Sequence, residues 1–192
     1  MKIIELIIDE DAELYGIDAI SLVENPAIES NWLALNSDKL TLAEVDSDRR
    51  ILIGAALIPD KPIYRAQGGD EFHVYFSKKT VRKAMELFFK FGNQGSTTLE
   101  HENKLNGLSV VESWIVEHKK KDKSSVYNLD VPVGTWMVSV KVDNEAIWRD
   151  WVKSDKVKGF SIEGFFVDKM EAQKTSQLEE EILKIIDNPS ES

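Results

Sequence analysis

Apolar positions along the chain predict a series of short strands. Lys2–Ile8 and Ala19–Val23 are apolar, β-branched runs typical of strands, and Ile51–Ile58 is a continuous apolar run that ends at Pro59. The polar stretch Asn36–Arg50 offers few core positions and is predicted to be a surface connection. Apolar runs or period-two alternation predict further strands at Trp32–Leu35, Glu71–Phe76, Thr97–His101, Leu108–Glu117, Gly134–Val142 and Val157–Val167.

Three segments carry the 3.6-residue period of an amphipathic helix. Ser77 is a suitable N-cap for a helix over Lys78–Phe91, whose apolar stripe ends next to a glycine. Asp143 is predicted to cap a second helix, and Ser176 with Glu179 forms a capping box before a third, acidic helix. Short strands with two internal helices and an appended C-terminal helix predict a β-rich α+β domain, whose strands close or half-close into a β-barrel.

Local composition also predicts the connections between these elements. Thr97–His101 and the strand that starts at Leu108 are expected to form a β-hairpin through a turn at Asn103–Gly107. Lys119–Ser125 is charged and has no apolar periodicity, so we expect a mobile loop there. Near the C-terminus, Ala172–Thr175 contains no core-forming residues and is expected to be an exposed linker to the tail helix.

The composition is that of an acidic globular protein without cysteine. The 192 residues include 24 Lys and Arg against 34 Asp and Glu, and the formal charge of −10 repels nucleic-acid phosphates. The absence of Cys excludes disulfides, thiolate metal sites and cysteine nucleophiles. No apolar run approaches the ~20 residues of a membrane helix, and the first residues lack the pattern of a secretory signal. We therefore expect an intracellular protein that binds neither nucleic acid nor membrane.

Histidine and glycine patterns give little support for a metal or a cofactor. The chain has three histidines, His73, His101 and His118. His101 is followed by Glu102 but has no second His four residues further on, so the helical zinc-protease spacing is not met. There is also no phosphate-binding loop and no dinucleotide glycine fingerprint. We expect neither a metal nor a cofactor.

Two segments are candidates for catalytic chemistry. In Thr97–Glu102 a His ends a β-type run at a turn, and in Gly159–Gly164 a Ser lies mid-strand between two glycines. Alternation places Ser161 and Glu163 on one face of that strand. A Ser with a His is the minimum for serine acyl transfer, because the imidazole takes the hydroxyl proton and returns it to the leaving amine. The residues alone favour structural roles for both, a small packed Ser and a structural His.

The two segments belong to a set of motifs that resembles a phage protease family. Their order is similar to that in the XkdF-type serine proteases, a branch of the prohead (capsid maturation) proteases of tailed phages. The resemblance covers residues 18–27 and 51–168 and does not extend to the tail. It is carried by Ala19–Ala27, Val74–Thr80, Thr98–Glu102, Val111–Trp114, Gly134–Trp136 and Gly159–Gly164.

The resemblance implies catalytic roles in both candidate segments. It makes Ser161 the nucleophile and His101 the general base. Assemblin-type enzymes use a second His after the Ser, but no His follows Ser161, so we expect an acid to orient His101. Glu163, on the face of Ser161, and Glu112, on the strand after His101, are equal candidates for that acid. Candidates for an oxyanion hole are the backbone N–H groups near Gly159 and Gly164.

The resemblance also implies a fold, a substrate class and a place of action. The fold is a herpesvirus-assemblin-like β-barrel, with residues 1–169 as the protease domain and 170–192 as an acidic tail helix. The domain comprises strands in 1–36 and a core in 51–168. The substrates are scaffold and capsid proteins inside the immature phage head, in the cytoplasm of the bacterial host. Self-cleavage of the tail is expected, and a homodimer is a candidate partner. The alternative is a catalytically inactive structural or scaffold-associated head protein with the same barrel.

Overall fold

The computed structural model describes residues 2–24, 43–46 and 49–187, and these ranges contain twelve strands and four helices. The helices are α1 (Lys78–Lys90), α2 (Lys123–Val126), α3 (Glu145–Ile147) and α4 (Lys169–Asp187). The strands are β1 (Lys2–Ile7), β2 (Gly16–Val23), β3 (Ala43–Asp46), β4 (Ile51–Leu57), β5 (Ile63–Gln67), β6 (Asp70–Phe76), β7 (Thr97–Leu99), β8 (Asn103–Leu105), β9 (Leu108–Ile115), β10 (Trp136–Val142), β11 (Gly159–Phe165) and β12 (Val167–Asp168).

Hydrogen bonds join these strands into three four-stranded sheets. Sheet I has the strand order β12-β1-β6-β5, sheet II has the order β3-β4-β10-β9, and sheet III has the order β11-β2-β7-β8. Sheets II and III approach each other where β11 lies alongside β4. The fold is therefore mixed α+β and rich in strands.

The assemblin-like β-barrel predicted from the sequence is wrong. In a barrel the first and last strands pair, so no edge remains. Within the described ranges each of the three sheets instead ends on both sides in a strand that pairs with one neighbour only. Some of these edge strands are very short, with three residues in β8 and two in β12. They present too few backbone groups to form the ladders that would close a barrel.

The predicted hairpin between β7 and β9 is also wrong. β7 pairs with β8, which lies inside the expected turn Asn103–Gly107, whereas β9 pairs with β10 in sheet II. Gly107 diverts the chain between the two sheets with a φ of +76°, a conformation that glycine adopts without steric cost. Its carbonyl accepts the N–H groups of Asp143 at 2.7 Å and Asn144 at 3.1 Å. This anchored turn directs β9 away from β7.

The amphipathic helix predicted over Lys78–Phe91 is confirmed by α1. Ser77 caps its first turn, because the Ser77 hydroxyl oxygen accepts the N–H of Thr80 at 3.5 Å. The apolar stripe is buried at Val81, Ala84 and Phe88. Since these side chains belong to the main hydrophobic core, α1 packs against the sheets by the face that the sequence predicts.

The second predicted helix is shorter than expected and is capped by the following residue. Asn144, and not Asp143, is the N-cap of α3, since its side-chain oxygen accepts the N–H of Ile147 at 3.0 Å. After three residues the chain continues as a π-helical turn over Trp148–Val152. Ile147 and Trp148 are buried in the main core, so this short element docks where an amphipathic helix was predicted.

Two polar segments predicted to be loops contain regular structure. Lys119–Ser125 includes most of α2, which Asp122 caps by accepting the N–H of Ser124 at 2.9 Å. Within Asn36–Arg50, β3 forms and pairs antiparallel with β4. The predicted strand Trp32–Leu35 lies outside the described residues.

The C-terminal helix begins earlier than the sequence predicts. α4 starts at Lys169, so the expected linker Ala172–Thr175 is helical and Ser176 is not an N-cap. The Ser176 hydroxyl instead donates to the carbonyl of Ala172 within the helix at 3.1 Å. Lys169 bonds the carboxylate of Glu5 on β1 at 2.6 Å and lowers the pKa of that carboxyl. The extended linker required for the expected self-cleavage is therefore absent.

Among the described helices none has the length and apolar character that crossing a bilayer requires.

Candidate functional site

Three hydroxyl-bearing residues form a row across sheet III. Ser161 on β11 is the register partner of Ser21 on β2, and Ser21 is in turn the partner of Thr98 on β7. Register partners on adjacent strands project from the same face of a sheet. Ser21 is fully buried, and Ser161 is 5% exposed. The predicted nucleophile thus lies on a face of the sheet that carries two further hydroxyl groups.

Glu163 lies on the same face as Ser161. The two residues are two positions apart on β11, and side chains along a strand alternate between its faces. On the other face, Phe160 belongs to the hydrophobic core and Ile162 packs against it. Strand alternation therefore puts the Ser161 hydroxyl and the Glu163 carboxylate on one face of β11 and the apolar side chains on the other.

His101 lies in a strained turn between β7 and β8. Glu100 and His101 have φ values of 52° and 61°, in the left-handed region that L-residues seldom occupy. Such conformations cost on the order of 1–3 kcal/mol each and persist only where the surroundings stabilise them. The Glu100 N–H donates to the Leu22 carbonyl at 3.0 Å, and the Glu24 N–H donates to the Glu100 carboxylate at 2.6 Å. The turn is thereby fixed to the C-terminal end of β2.

The imidazole of His101 contacts the carboxylate of Glu163. The distance from His101 Nδ1 to Glu163 Oε1 is 3.2 Å. The Thr98 hydroxyl donates to the same oxygen, so the carboxylate is held from two sides. An ionised carboxylate can only accept hydrogen bonds, and Nδ1 is therefore the donor. In the neutral ring this leaves Nε2 unprotonated and able to accept a proton.

Asp18 adds a second carboxyl group beside Glu163. It is the extra residue of a β-bulge in β2, because Glu163 pairs with Ala19 whereas Gly164 pairs with Ile17. Burial raises the pKa of the Asp18 carboxyl, and the negative charge of Glu163 raises it further. The two carboxyl groups therefore interact with each other at this end of the site.

Ser161 and His101 share one sheet but are not on neighbouring strands. β2 lies between β11 and the β7–β8 turn that carries His101. In the described part of the chain no hydrogen bond joins the Ser161 hydroxyl to the His101 ring. Such bonds are often long before substrate binds and shorten in the complex. The contact of His101 with Glu163 nevertheless places the ring over the face that bears Ser161.

Glu112, the other candidate acid, lies in a different sheet. Its carboxylate accepts the hydroxyl of Ser139 at 2.6 Å and is paired with the ammonium of Lys123. These two hydrogen bonds lower the pKa of the Glu112 carboxyl. Glu112 was an equal candidate because β9 was expected to form a hairpin with the strand of His101. Since β9 belongs to sheet II, Glu163 is the acid that the fold brings to His101.

The two glycines on either side of Ser161 have different surroundings. Gly159 is the first residue of β11 and pairs with Val23. Gly164 lies at the bulge, where an added Cβ would come within 2.3 Å of the Gly16 carbonyl oxygen and 3.0 Å of the Ile17 Cα. The close approach of two backbones is sufficient to explain why position 164 is glycine. A role of the nearby backbone N–H groups in an oxyanion hole stays a prediction.

Replacement of Gly164 by Ala is expected to lower the free energy of unfolding by about 3 kcal/mol, because the added methyl overlaps backbone that cannot move aside. Urea unfolding followed by circular dichroism measures the change. Gly95→Ala is the matched control, since nothing lies within 4 Å of a Cβ at Gly95. Equal stabilities of the two variants would contradict the tight contact between β11 and β2.

Sequence reasoning missed two residues that complete the site. Thr98 binds Glu163, and the Ser21 hydroxyl oxygen accepts the backbone N–H of His101 at 3.0 Å. Both residues lie inside motifs that carry the family resemblance, but nothing in their spacing shows that β2 is inserted between β7 and β11. Among the described residues, no group of three or more His, Asp or Glu side chains is arranged to hold a metal ion.

Comparisons with known proteins do not assign the chain to a family. No protein-family model, no curated protein and no solved structure matches it.

Proposed function

We propose that the protein is a serine endopeptidase of the prohead-protease type, with Ser161 as nucleophile, His101 as general base and Glu163 as the acid that orients His101. The contact between His101 Nδ1 and Glu163 Oε1, on the sheet face that carries Ser161, is the observation that supports this assignment most strongly. It supplies the imidazole–carboxylate pair of the hydroxyl, imidazole and carboxylate that serine acyl transfer requires, and strand alternation puts the Ser161 hydroxyl on the face where that pair lies. The phage-head substrates, namely scaffold and capsid segments, are proposed from the resemblance of the sequence motifs.

The proposed reaction has two stages. In acylation, His101 Nε2 accepts the Ser161 hydroxyl proton while Oγ attacks the scissile carbonyl carbon. The tetrahedral intermediate collapses, the C–N bond breaks, and the imidazolium gives its proton to the departing amine. In deacylation the same imidazole takes a proton from water as the water oxygen attacks the ester carbonyl carbon. The ester C–O bond then breaks, the imidazolium returns its proton to Ser161 Oγ, and the peptide acid is released. Glu163 stabilises the imidazolium in both stages because its carboxylate accepts the Nδ1–H.

A fluorophosphonate probe tests the proposal on the full-length chain. Fluorophosphonates phosphonylate activated serines, because the serine oxygen displaces fluoride from phosphorus, so we expect one label per chain, located on Ser161 by peptide mass spectrometry. Two buried strand serines, Ser21 and Ser139, serve as internal controls and should remain unlabelled. A folded chain that stays unlabelled at Ser161 would contradict the enzyme assignment and favour a structural head protein.

Glu163→Gln is expected to slow the labelling of Ser161 by about 10²-fold, at the lower end of what a positioned acid–base system contributes. An amide at this position can donate a hydrogen bond to Nδ1 and so stabilise the tautomer in which Nε2 carries the proton. In that tautomer Nε2 cannot accept the Ser161 proton. Glu112→Gln is the matched control and should label at the wild-type rate, because Glu112 binds Ser139 and Lys123. The reverse order of effects would assign the orienting acid to Glu112.

A further inference from the structure

We infer that Ser21 is a positioning residue for His101, holding its backbone so that the imidazole lies against Glu163 and over the face of Ser161. The inference rests on the proposed function, in which His101 moves the Ser161 proton. Ser21 acts through His101, because its hydroxyl oxygen accepts the backbone N–H of His101 at 3.0 Å.

The geometry of the turn explains why such a partner is needed. Both Glu100 and His101 hold positive φ values, and a non-glycine residue keeps such a conformation only when several contacts stabilise it. The two contacts of Glu100 described above fix the first residue of the turn to Leu22 and Glu24. The Ser21 hydroxyl provides the corresponding contact for His101 itself.

The hydroxyl of Ser21 is well suited to this role. Ser21 is 0% exposed, so water does not replace it as an acceptor if the side chain is truncated. Its own proton points towards the Leu22 carbonyl, 3.5 Å away, which orients a lone pair towards the turn. Ser21 is also the register partner of Ser161. One residue therefore links the strand of the nucleophile to the backbone of the base.

The backbone contact controls the ring because few degrees of freedom separate them. Two side-chain dihedral angles connect the His101 backbone to its imidazole: χ1 occupies discrete staggered wells, and χ2 is broader but roughly two-fold. A shift of the backbone therefore moves Nδ1 relative to Glu163 Oε1, now 3.2 Å away, and moves Nε2 relative to Ser161. A displacement of about 1 Å in a catalytic group can cost about 10²-fold in rate.

Two substitutions at Ser21 test the inference in the full-length chain. Ser21→Ala removes the acceptor and is expected to slow fluorophosphonate labelling of Ser161 by about 10- to 100-fold. Ser21→Thr keeps a hydroxyl on a residue that strands favour, and should restore a rate near that of the wild type. Ser139→Ala is the matched control. Ser139 is also a fully buried strand serine, but it lies in sheet II, where its hydroxyl binds Glu112.

A spectroscopic measurement separates positioning from general destabilisation. Long-range ¹H–¹⁵N NMR of the His101 ring reports which nitrogen is protonated, and the wild type should show the Nδ1–H form at alkaline pH. Ser21→Ala should shift the ring towards the Nε2–H form, whereas Ser21→Thr and Ser139→Ala should not. This readout does not require activity. If wild-type Ser161 is unlabelled but Ser21→Ala changes the ring signal, the proposed function fails and the positioning contact stands.

The inference is overturned by either of two results. In the first, Ser21→Ala keeps the wild-type labelling rate and ring signal. In the second, Ser21→Ala and Ser21→Thr lower thermal stability and labelling equally while the ring signal stays unchanged, which is the behaviour of a merely structural serine.

Discussion

Replacing Ser161 with Ala is expected to abolish fluorophosphonate labelling, and replacing His101 with Ala is expected to slow it by about 10²–10⁴-fold. The first variant lacks the oxygen of the proposed nucleophile, and the second lacks the proposed general base, whose contribution to catalysis is typically of that size. Both side chains lie on one face of sheet III, and the His101 side chain is 42% exposed, so its loss leaves the core intact. Time-resolved labelling with quantification of the Ser161 peptide measures both effects.

His118→Ala is the matched control for this experiment. His118 is exposed, and its ring accepts the N–H groups of Lys120 and Lys121 on the loop before α2. We expect this variant to label at the wild-type rate. If His101→Ala labels as fast as His118→Ala, the imidazole of His101 is not the base, and the contact with Glu163 is structural.

Replacing Phe88 with Ala is expected to lower the free energy of unfolding by about 3–5 kcal/mol, as truncation of a buried Phe does. Phe88 is 0% exposed in α1, and its ring lies 5.5 Å from that of Trp136 on β10 and 5.4 Å from that of Phe89. The substitution leaves a cavity where α1 packs on the sheets. Urea unfolding measures the loss through the shift of the transition midpoint.

Phe91→Ala provides the comparison on the same helix. Phe91 is the C-terminal cap residue of α1, is 43% exposed and stacks edge-on against Tyr15 at 5.5 Å. Because it buries less apolar surface, we expect a loss of about 1 kcal/mol. Two variants with the same midpoint would show that α1 is not docked by the stripe that contains Phe88.

The sequence alone was sufficient where the determining interactions are local. Helix α1 follows from the spacing of Val81, Ala84 and Phe88 and from the cap at Ser77, all within a few turns of chain. The placement of Ser161 and Glu163 on one face follows from strand alternation in the same way. These features depend on the periodicity of a single element, which the order of residues specifies directly.

Predictions from local patterns were wrong where a turn or a helix start could form at more than one position in the chain. Composition favours a turn at Asn103–Gly107, yet the chain reverses earlier, at Glu100 and His101, because contacts from β2 stabilise their left-handed backbone. The capping box at Ser176 is a valid signal, but α4 begins at Lys169, whose ammonium pairs with Glu5 on β1. In each case a distant strand changes the balance between local alternatives.

Only the tertiary structure decided the composition of the candidate site. The sequence offered Glu163 and Glu112 equally, because it predicts strands but not their partners. Long-range pairing inserted β2 between β7 and β11 and assigned β9 to another sheet, which brought Glu163 to His101 and left Glu112 with Lys123. Across the described residues, the same pairing forms three open sheets in place of a barrel. Strand order is set by backbone hydrogen bonds and core packing between segments far apart in the chain, such as Ser21 and Ser161 or Leu6 and Asp168. The periodicity and composition of single segments do not specify which strands pair.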